Sequence, residues 1–472
     1  MKTRSNSLDA LRGLAIMAMV LSSAIASGVL PAWMYHAQAG PRSGGVFDPS
    51  IYGITWVDLV FPFFLFSMGA AFPFSLGSKI DKGKSGLLIF RDVFLRFLRL
   101  AFFAIFVQHI YPWSVSDPAG PSAWLVAVCG FAVMMLMYLR LPSVASGNRR
   151  IRCINKAMEI SGYALAVLMM VLLSNYSMRK FDPGYSNIIL LVLANMAFWG
   201  SMIYILTYRS PAARFLILPF VMAVFLGSGT EGSWNQAVMN FTPVPWAYRF
   251  LFLKYLFIVI PGTLAGDFMR RWMSEENCLV CHLPVWRVSM MSLTALVIVV
   301  TNVICLYSRW LVANLFITAF LLAVLMIIIG KDGTALQKYW NSLLKAGAVL
   351  LMLGLFFEAY QGGVRKDDST YSYYFITSGL AFLSLLPLSV ICDVSRKEWF
   401  SRPLELVGAN PMLAYVATSV LVMPIFNLLK ITPLLDSMVT GPWTGFIRGI
   451  IVTLCSASVA ALFSRHKLYW KS

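Results

Sequence analysis

Apolar runs of about twenty residues alternate along the chain with short polar segments, at the length an α-helix needs to cross a hydrocarbon core of roughly 30 Å. They fall at 13–30, 54–77, 93–112, 122–141, 158–175, 187–208, 213–229, 249–269, 288–307, 310–330, 343–360, 371–392, 403–429 and 443–464. This pattern predicts an all-α, polytopic integral membrane bundle of about 14 (12–14) transmembrane helices. The count is least fixed at the hairpin 288–330, whose turn is only SRW, and at the pair 187–229. The first run, Leu14–Leu30, has no A-x-A cleavage pattern and leads into further spans, so it is expected to remain as helix one of a single domain over 1–472.

Charge sets the orientation. Lys and Arg concentrate in alternate connections: KIDKGKSG with Arg91, Arg96 and Arg99, then GNRRIRCINK, then the tail RHKLYWKS. Such loops stay inside, which puts both termini in the cytoplasm and the connections 30–53, 230–246 and 361–370 outside. With 59% apolar and 12% charged residues and a mean hydropathy of +0.74, the chain lies outside the range of soluble domains. The net charge of +18 is spread over many short loops and forms no stripe, which excludes a nucleic-acid partner and leaves the lipid bilayer. Seven cysteines, mostly in or beside apolar runs, imply no disulfide framework. The segment CLVCH, Cys278 to His282, has the spacing of covalent haem attachment, but the charge pattern places it inside, where that reaction does not occur. No metal or haem is expected there.

The chemistry centres on His36 to Gly69. A polar loop carrying one of four histidines runs into an apolar helix that keeps Asp58 about one turn inside its start. An acid at membrane depth costs roughly 2.5–3.5 kcal/mol and usually faces protein or water. An imidazole can take a proton from an attacking amine while a carboxylate behind it fixes the tautomer. The bland alternative is a solvated loop histidine and an Asp bonded to a neighbouring helix. At the inner face, SLDALRGL carries Asp9 and Arg12, which either hold a phosphate or pair with each other. Arg96 and Arg99 in RFLRLAFF could extend such a site, though the inside bias alone predicts them. Two later helices carry polar residues: 364–382, with Lys366 at its outer lip and Ser378 along it, and 403–416, with Gly408, Asn410 and Pro411 interrupting it.

Taken together, SLDALRGLAIMAMV at 7–20, His36 followed by GITWVDLVFPFFLFSMG at 53–69, RKDDSTYSYYFITSGLAF at 365–382 and GANPMLAYV at 408–416 resemble the heparan-alpha-glucosaminide N-acetyltransferase-like membrane acyltransferase family. The resemblance covers the first ~110 and last ~130 residues. It implies transfer of an acetyl group from cytosolic acetyl-CoA to a glucosamine-type saccharide outside, in a homodimer, in a bacterial inner (plasma) membrane. By resemblance His36 and Asp58 are catalytic; Asp9, Arg12, Arg96, Arg99, Ser378 and Asn410 face the cofactor; and Trp56, Lys366 and Tyr373 face the acceptor. Ser23 stands where the family has an asparagine, and the middle, about 120–340, diverges and carries four additional spans. On the residues alone, a sugar or amino-sugar permease, or a polysaccharide-export partner without chemistry, remains open.

Overall fold

The computed structural model describes residues 5–141, 149–276, 278–331 and 333–471. The protein is a helical membrane bundle. Among the described residues thirteen helices are long and apolar enough to span: α1 (Asn6–Ala24), α2 (Trp56–Asp81), α3 (Gly86–Ile110), α4 (Pro121–Tyr138), α5 (Arg149–Tyr176), α6 (Ile188–Leu206), α7 (Phe250–Ser274), α8 (Val285–Tyr307), α9 (Leu311–Ile329), α10 (Ala335–Ala359), α11 (Tyr371–Val394), α12 (Pro411–Leu428) and α13 (Pro442–Arg465). Among the described residues the one sheet is a two-residue antiparallel pair, β1 (Leu139–Arg140) with β2 (Tyr469–Trp470).

The fourteenth expected span is the helix Pro211–Gly227, which at 17 residues is shorter than the rest. It nevertheless runs the depth of its neighbours. Near its start Arg214 meets Asp267 towards the end of α7, and further on the Met222 carbonyl accepts from the hydroxyl of Tyr371, the first residue of α11. With this helix counted, the crossings among the described residues number fourteen, and the first and last described segments lie on one face. There the Asn6 amide donates to Asp393, and the C-terminal segment pairs with the end of α4.

The expected span 403–429 is broken. A helix Glu398–Ala409 ends at Asn410, and α12 begins at Pro411, whose ring cannot donate to the preceding turn. Asn410 is fully buried and fully used: its Nδ2 donates to Ser464 Oγ (2.9 Å) and the Leu468 carbonyl (2.8 Å), and its Oδ1 accepts from the Trp470 amide (2.9 Å). It latches the C-terminal segment, and these three bonds occupy its amide.

Helices that matter for the site meet at backbone contact. A Cβ at Gly13 of α1 would lie 2.0 Å from the Leu404 carbonyl oxygen, and one at Gly408 would lie 2.0 Å from that of Asp9. The seam between α2 and α7 is alike, with Gly69, Gly262 and Gly266 each facing a carbonyl on the other helix. Lipid tails are as apolar as leucine, so close approach and dispersion hold such seams together. The innermost helix is α11, 89% buried along its apolar window, and it packs on α2, α7 and α10. The frame therefore fixes α1, α2 and α11, the helices that carry or flank the candidate residues.

Replacing Gly408 by Val should lower stability by about 1–3 kcal/mol, the usual cost of forcing side chain into packed space. Gly86→Ala, with open space around it, should be near neutral. Thermal unfolding of both variants in detergent checks this.

Candidate functional site

The outer site begins with a helix cap. Thr55 precedes α2 and Asp58 is the third residue of its first turn, so the T-x-x-D sequence forms a capping box. Asp58 Oδ2 accepts from the Thr55 amide (2.9 Å), the Thr55 hydroxyl (3.2 Å) and the Ala37 amide (3.3 Å). Its other oxygen, Oδ1, points at His36. The Thr55 hydroxyl is also within reach of the Tyr35 carbonyl (2.7 Å), and the Tyr35 hydroxyl gathers Ala26, Val29 and Leu30, which pins the loop on which His36 sits.

The imidazole is held at both nitrogens. The Gln38 amide donates to Nδ1 (3.0 Å), so the hydrogen of the neutral ring is assigned to Nε2. Nε2 lies 3.2 Å from Asp58 Oδ1 and 3.1 Å from Asp367 Oδ2. One N–H cannot aim at both acceptors, and Asp58 Oδ1, although this close, has no well-aligned donor. The Nε2 hydrogen bond goes to Asp367, and Asp58 Oδ1 stands beside the ring with no donor aligned on it. Lys366 Nζ, 4.0 Å from Asp58 Oδ1, supplies a positive charge to the cluster.

Asp367 was not among the expected site residues. It is brought in by Gln38, whose fully buried amide grips the backbone of residue 367 on both sides: Nε2 donates to its carbonyl (3.0 Å) and Oε1 accepts its N–H (2.9 Å). The 361–370 loop is anchored again at Val364, which bonds Gly53 through its carbonyl and Glu358 through its amide, while Glu358 pairs with Arg309. Burial pushes the Asp367 carboxyl up, but the hydrogen bond from His36 and the charges of Lys366 and His36 outweigh it, leaving the group below its ordinary range.

Two cavities meet at this cluster. One, of about 400 Å³, is lined by His36 and Lys366 with Ser22 and Ser23 of α1, Val60 and Phe61 of α2 and Tyr415 of α12. The other, of about 490 Å³, has Lys366, Asp367, Asp368, Lys254, Tyr255 and Tyr374 in its wall. They share Phe61, Ile189 and Lys366. A reactant in one and a reactant in the other would thus reach the His36–Asp367 pair from different sides.

Towards the inner face, Arg12 lies on the helix that carries Ser22 and Ser23. It is within 3.4 Å of Asp9, and its guanidinium also reaches the carbonyls of Gly408 (3.5 Å) and Ser67 (3.3 Å). Arg96 on α3 is close enough for the two guanidinium charges to repel. Asp9 lines a separate inner cavity of about 290 Å³ with Arg396 and Arg402. Arg99 points elsewhere: it pairs with Glu159 of α5 (2.5 Å), which also takes Arg140 (2.9 Å). Ser378 donates to the Phe257 carbonyl (3.1 Å) and Tyr373 to the Asp58 carbonyl (2.8 Å), both fully buried, so they bind the frame and leave the ligand spaces to others. Trp56 packs on the apolar cluster of Ile25, Leu30 and Met34. Among the described residues no group of three His, Cys, Asp or Glu side chains is arranged to hold a metal; Cys278 and Cys281 are free thiols.

A family model described as a domain of unknown function (DUF5009) matches residues 4–269, more than half of the chain, and the chain belongs to that family. The match includes Arg12, His36, Asp58 and Arg96 and stops short of Lys366 and Asp367. No curated protein matches the chain.

Because the Asp367 carboxyl titrates below its ordinary value of 3.8, the stability it adds is present above that value and is lost as pH falls through the lower folded one. The difference in Tm between wild type and Asp367→Asn should therefore be constant from neutral pH to about pH 5 and shrink below about pH 4. A difference that widened on acidification would contradict the assignment.

Proposed function

We propose that this DUF5009 chain is a transmembrane acetyltransferase of the heparan-alpha-glucosaminide N-acetyltransferase type. It takes acetyl from cytosolic acetyl-CoA and passes it to an amino sugar on the extracytoplasmic side of a bacterial plasma membrane. The observation that carries the reading is His36 Nε2, placed within 3.2 Å of both Asp58 and Asp367 where two cavities meet. Surface histidines are not clamped at both nitrogens, nor backed by a carboxylate that is 1% exposed.

Charge and distance suit acetyl-CoA. The ligand is a polyanion with a long neutral arm, and only the arm can enter the apolar slab. Arg12 and Arg96, like charges brought together, suit the phosphates. From Arg12 to Ser23 the α1 axis rises about 16 Å at 1.5 Å per residue, a span that an extended pantetheine arm covers. Its thioester then lies in the cavity of His36, Ser22 and Ser23.

The tautomer changes the expected role of the histidine. With Nδ1 occupied by the Gln38 amide and hydrogen on Nε2, the ring as it stands is not a free base. We assign it a relay role. Nε2 bonds to the acetyl carbon as its proton passes to a neighbouring carboxylate, Asp58 or Asp367; the C–S bond breaks, and the thiolate leaves with that proton as free CoA thiol. Lys366 steadies the negative charge on the carbonyl oxygen. The amine of the sugar, bound on the Asp367 side, then attacks the acetyl-imidazole, and its proton returns to Nε2 by way of the same carboxylates. Atoms balance: acetyl-CoA and amine give amide and CoA.

Mixed with acetyl-CoA but no acceptor and quenched quickly, the wild-type protein should carry one acetyl group on His36 by peptide mass spectrometry. His36→Ala should carry none and release thiol slower by about 10²–10⁴-fold in the presence of glucosamine. Unchanged thiol release in the variant would remove His36 from the chemistry. Saturable sugar binding with no thiol release at all would return the permease reading.

Gln38→Ala should lower kcat about tenfold or more, the order expected when a charge-assisted site loses its alignment, and leave acetyl-CoA affinity unchanged. Steady-state kinetics with varied acetyl-CoA separate the two effects.

A further inference from the structure

A further cavity is larger than either outer one. A space of about 760 Å³ opens at the ends of α2 and α7 and the start of Pro211–Gly227, lined by Phe74, Ser78, Lys82, Tyr208, Arg209, Pro211, Asp267, Arg270, Arg271, Met273 and Ser274. The Lys and Arg bias places this end of the bundle in the cytoplasm. Cations at that face are expected on loops, reaching for headgroups singly. These four line one hollow.

Its walls are built. Arg270 pairs with Asp81, and Tyr208 donates to the same carboxylate, so three chain segments are tied at the rim. Asp267 in the lining is held by Arg214 through Nη1 (2.7 Å), which also donates to Thr263 (2.8 Å). Arg214 is fully buried against the ring of Tyr204, and its Nη2 has no hydrogen-bond partner among the described residues. Two carboxylates, Asp81 and Asp267, are thus matched by Arg270 and Arg214. Lys82, Arg209 and Arg271 are left over, with no carboxylate in ion-pair range among the described residues. Three exposed cations facing one hollow repel each other, and an anion between them turns that cost into attraction. Phe74, Pro211 and Met273 add an apolar wall beside them.

We infer that this cavity holds an anionic, phosphate-bearing ligand with an apolar group next to the phosphate. Two sources share that chemistry: the headgroup of an anionic phospholipid from the inner leaflet, and a soluble nucleotide bisphosphate. Arginine suits either, because its planar fork takes two phosphate oxygens at once. The inference does not depend on acetyl transfer, since it uses none of the residues assigned to that reaction.

The test uses the full chain. Purified protein is titrated with adenosine 3′,5′-bisphosphate in detergent, and separately placed in nanodiscs of phosphatidylcholine with or without phosphatidylglycerol; thermal unfolding and native mass spectrometry are the readouts. Arg209→Gln with Arg271→Gln removes two of the surplus charges, both exposed, and Arg149→Gln with Arg152→Gln removes two exposed inner-face charges at the start of α5, outside that lining. Stabilisation or retained ligand that weakens about tenfold or more in the first double variant, and stays within about twofold of wild type in the second, supports the site. A response to the bisphosphate identifies a nucleotide, and one to phosphatidylglycerol alone identifies a lipid. Equal weakening in both double variants reduces the effect to surface charge, and binding of neither probe to the wild type shows that no such site exists; either result overturns the inference.

Discussion

A carboxylate cannot rest in an apolar helix unless something answers each of its oxygens, and Asp58 imposes that demand on everything near it. One oxygen is met by the start of its own helix, through Thr55, and by the Ala37 amide of the loop that carries His36. The other is left for the imidazole of His36 and, at longer range, the ammonium of Lys366. Each of those groups has to be held in turn. The Gln38 amide turns the ring, the Gln38 side chain brings in Asp367, and Tyr373 bonds the carbonyl of Asp58 itself from the most buried helix. Removing the acid would leave the Thr55 and Ala37 amides without their acceptor and His36 with Asp367 alone, so the acid ties the outer loops to the core.

The bundle makes this possible by being stiff where it matters. At Gly13 and Gly408, and again at Gly69, Gly262 and Gly266, helices touch through their backbones, with carbonyls where side chains would be. One seam fixes α1 against the Glu398–Ala409 helix and the other fixes α2 against α7, while α1 and α2 pack on each other. Met19, Val20, Ser22 and Ser23 of α1 then face the cavity that His36 lines. The outer periphery is looser: α5, α9 and α13 are less than a third buried along their apolar windows and meet mainly lipid.

Much of this was legible in the sequence. Hydropathy alone gives the bundle, because every span in lipid must close its own hydrogen bonds as a helix. The T-x-x-D cap and the loop histidine before it sit within one stretch, so His36 and Asp58 could be paired on local grounds, as could Asp9 with Arg12 at a spacing of three. Asp367 could not, since it lies 329 residues beyond Gln38 and joins the site only through the tertiary contact between two outer loops. Its signal was the pair of acids after Lys366. Arg96 and Arg99 were grouped by their spacing, yet three residues turn a helix by about 300°, enough to send one towards Arg12 and the other to Glu159. Ser378, Tyr373 and Asn410 illustrate a further limit: a polar side chain inside a span reads alike whether it waits for a ligand or bonds a neighbouring backbone. The break at Asn410 belongs to the second kind.

What distinguishes this reading from ordinary soluble acyl transfer is that donor and acceptor never share a compartment. Reconstitution of the protein in proteoliposomes of one orientation, with acetyl-CoA confined to the cytoplasmic side and glucosamine to the other, tests it directly. The account predicts N-acetylglucosamine on the acceptor side and free CoA on the donor side in equal amounts, with acetyl-CoA itself not crossing. Product that forms only when both reactants are on the same side would contradict it.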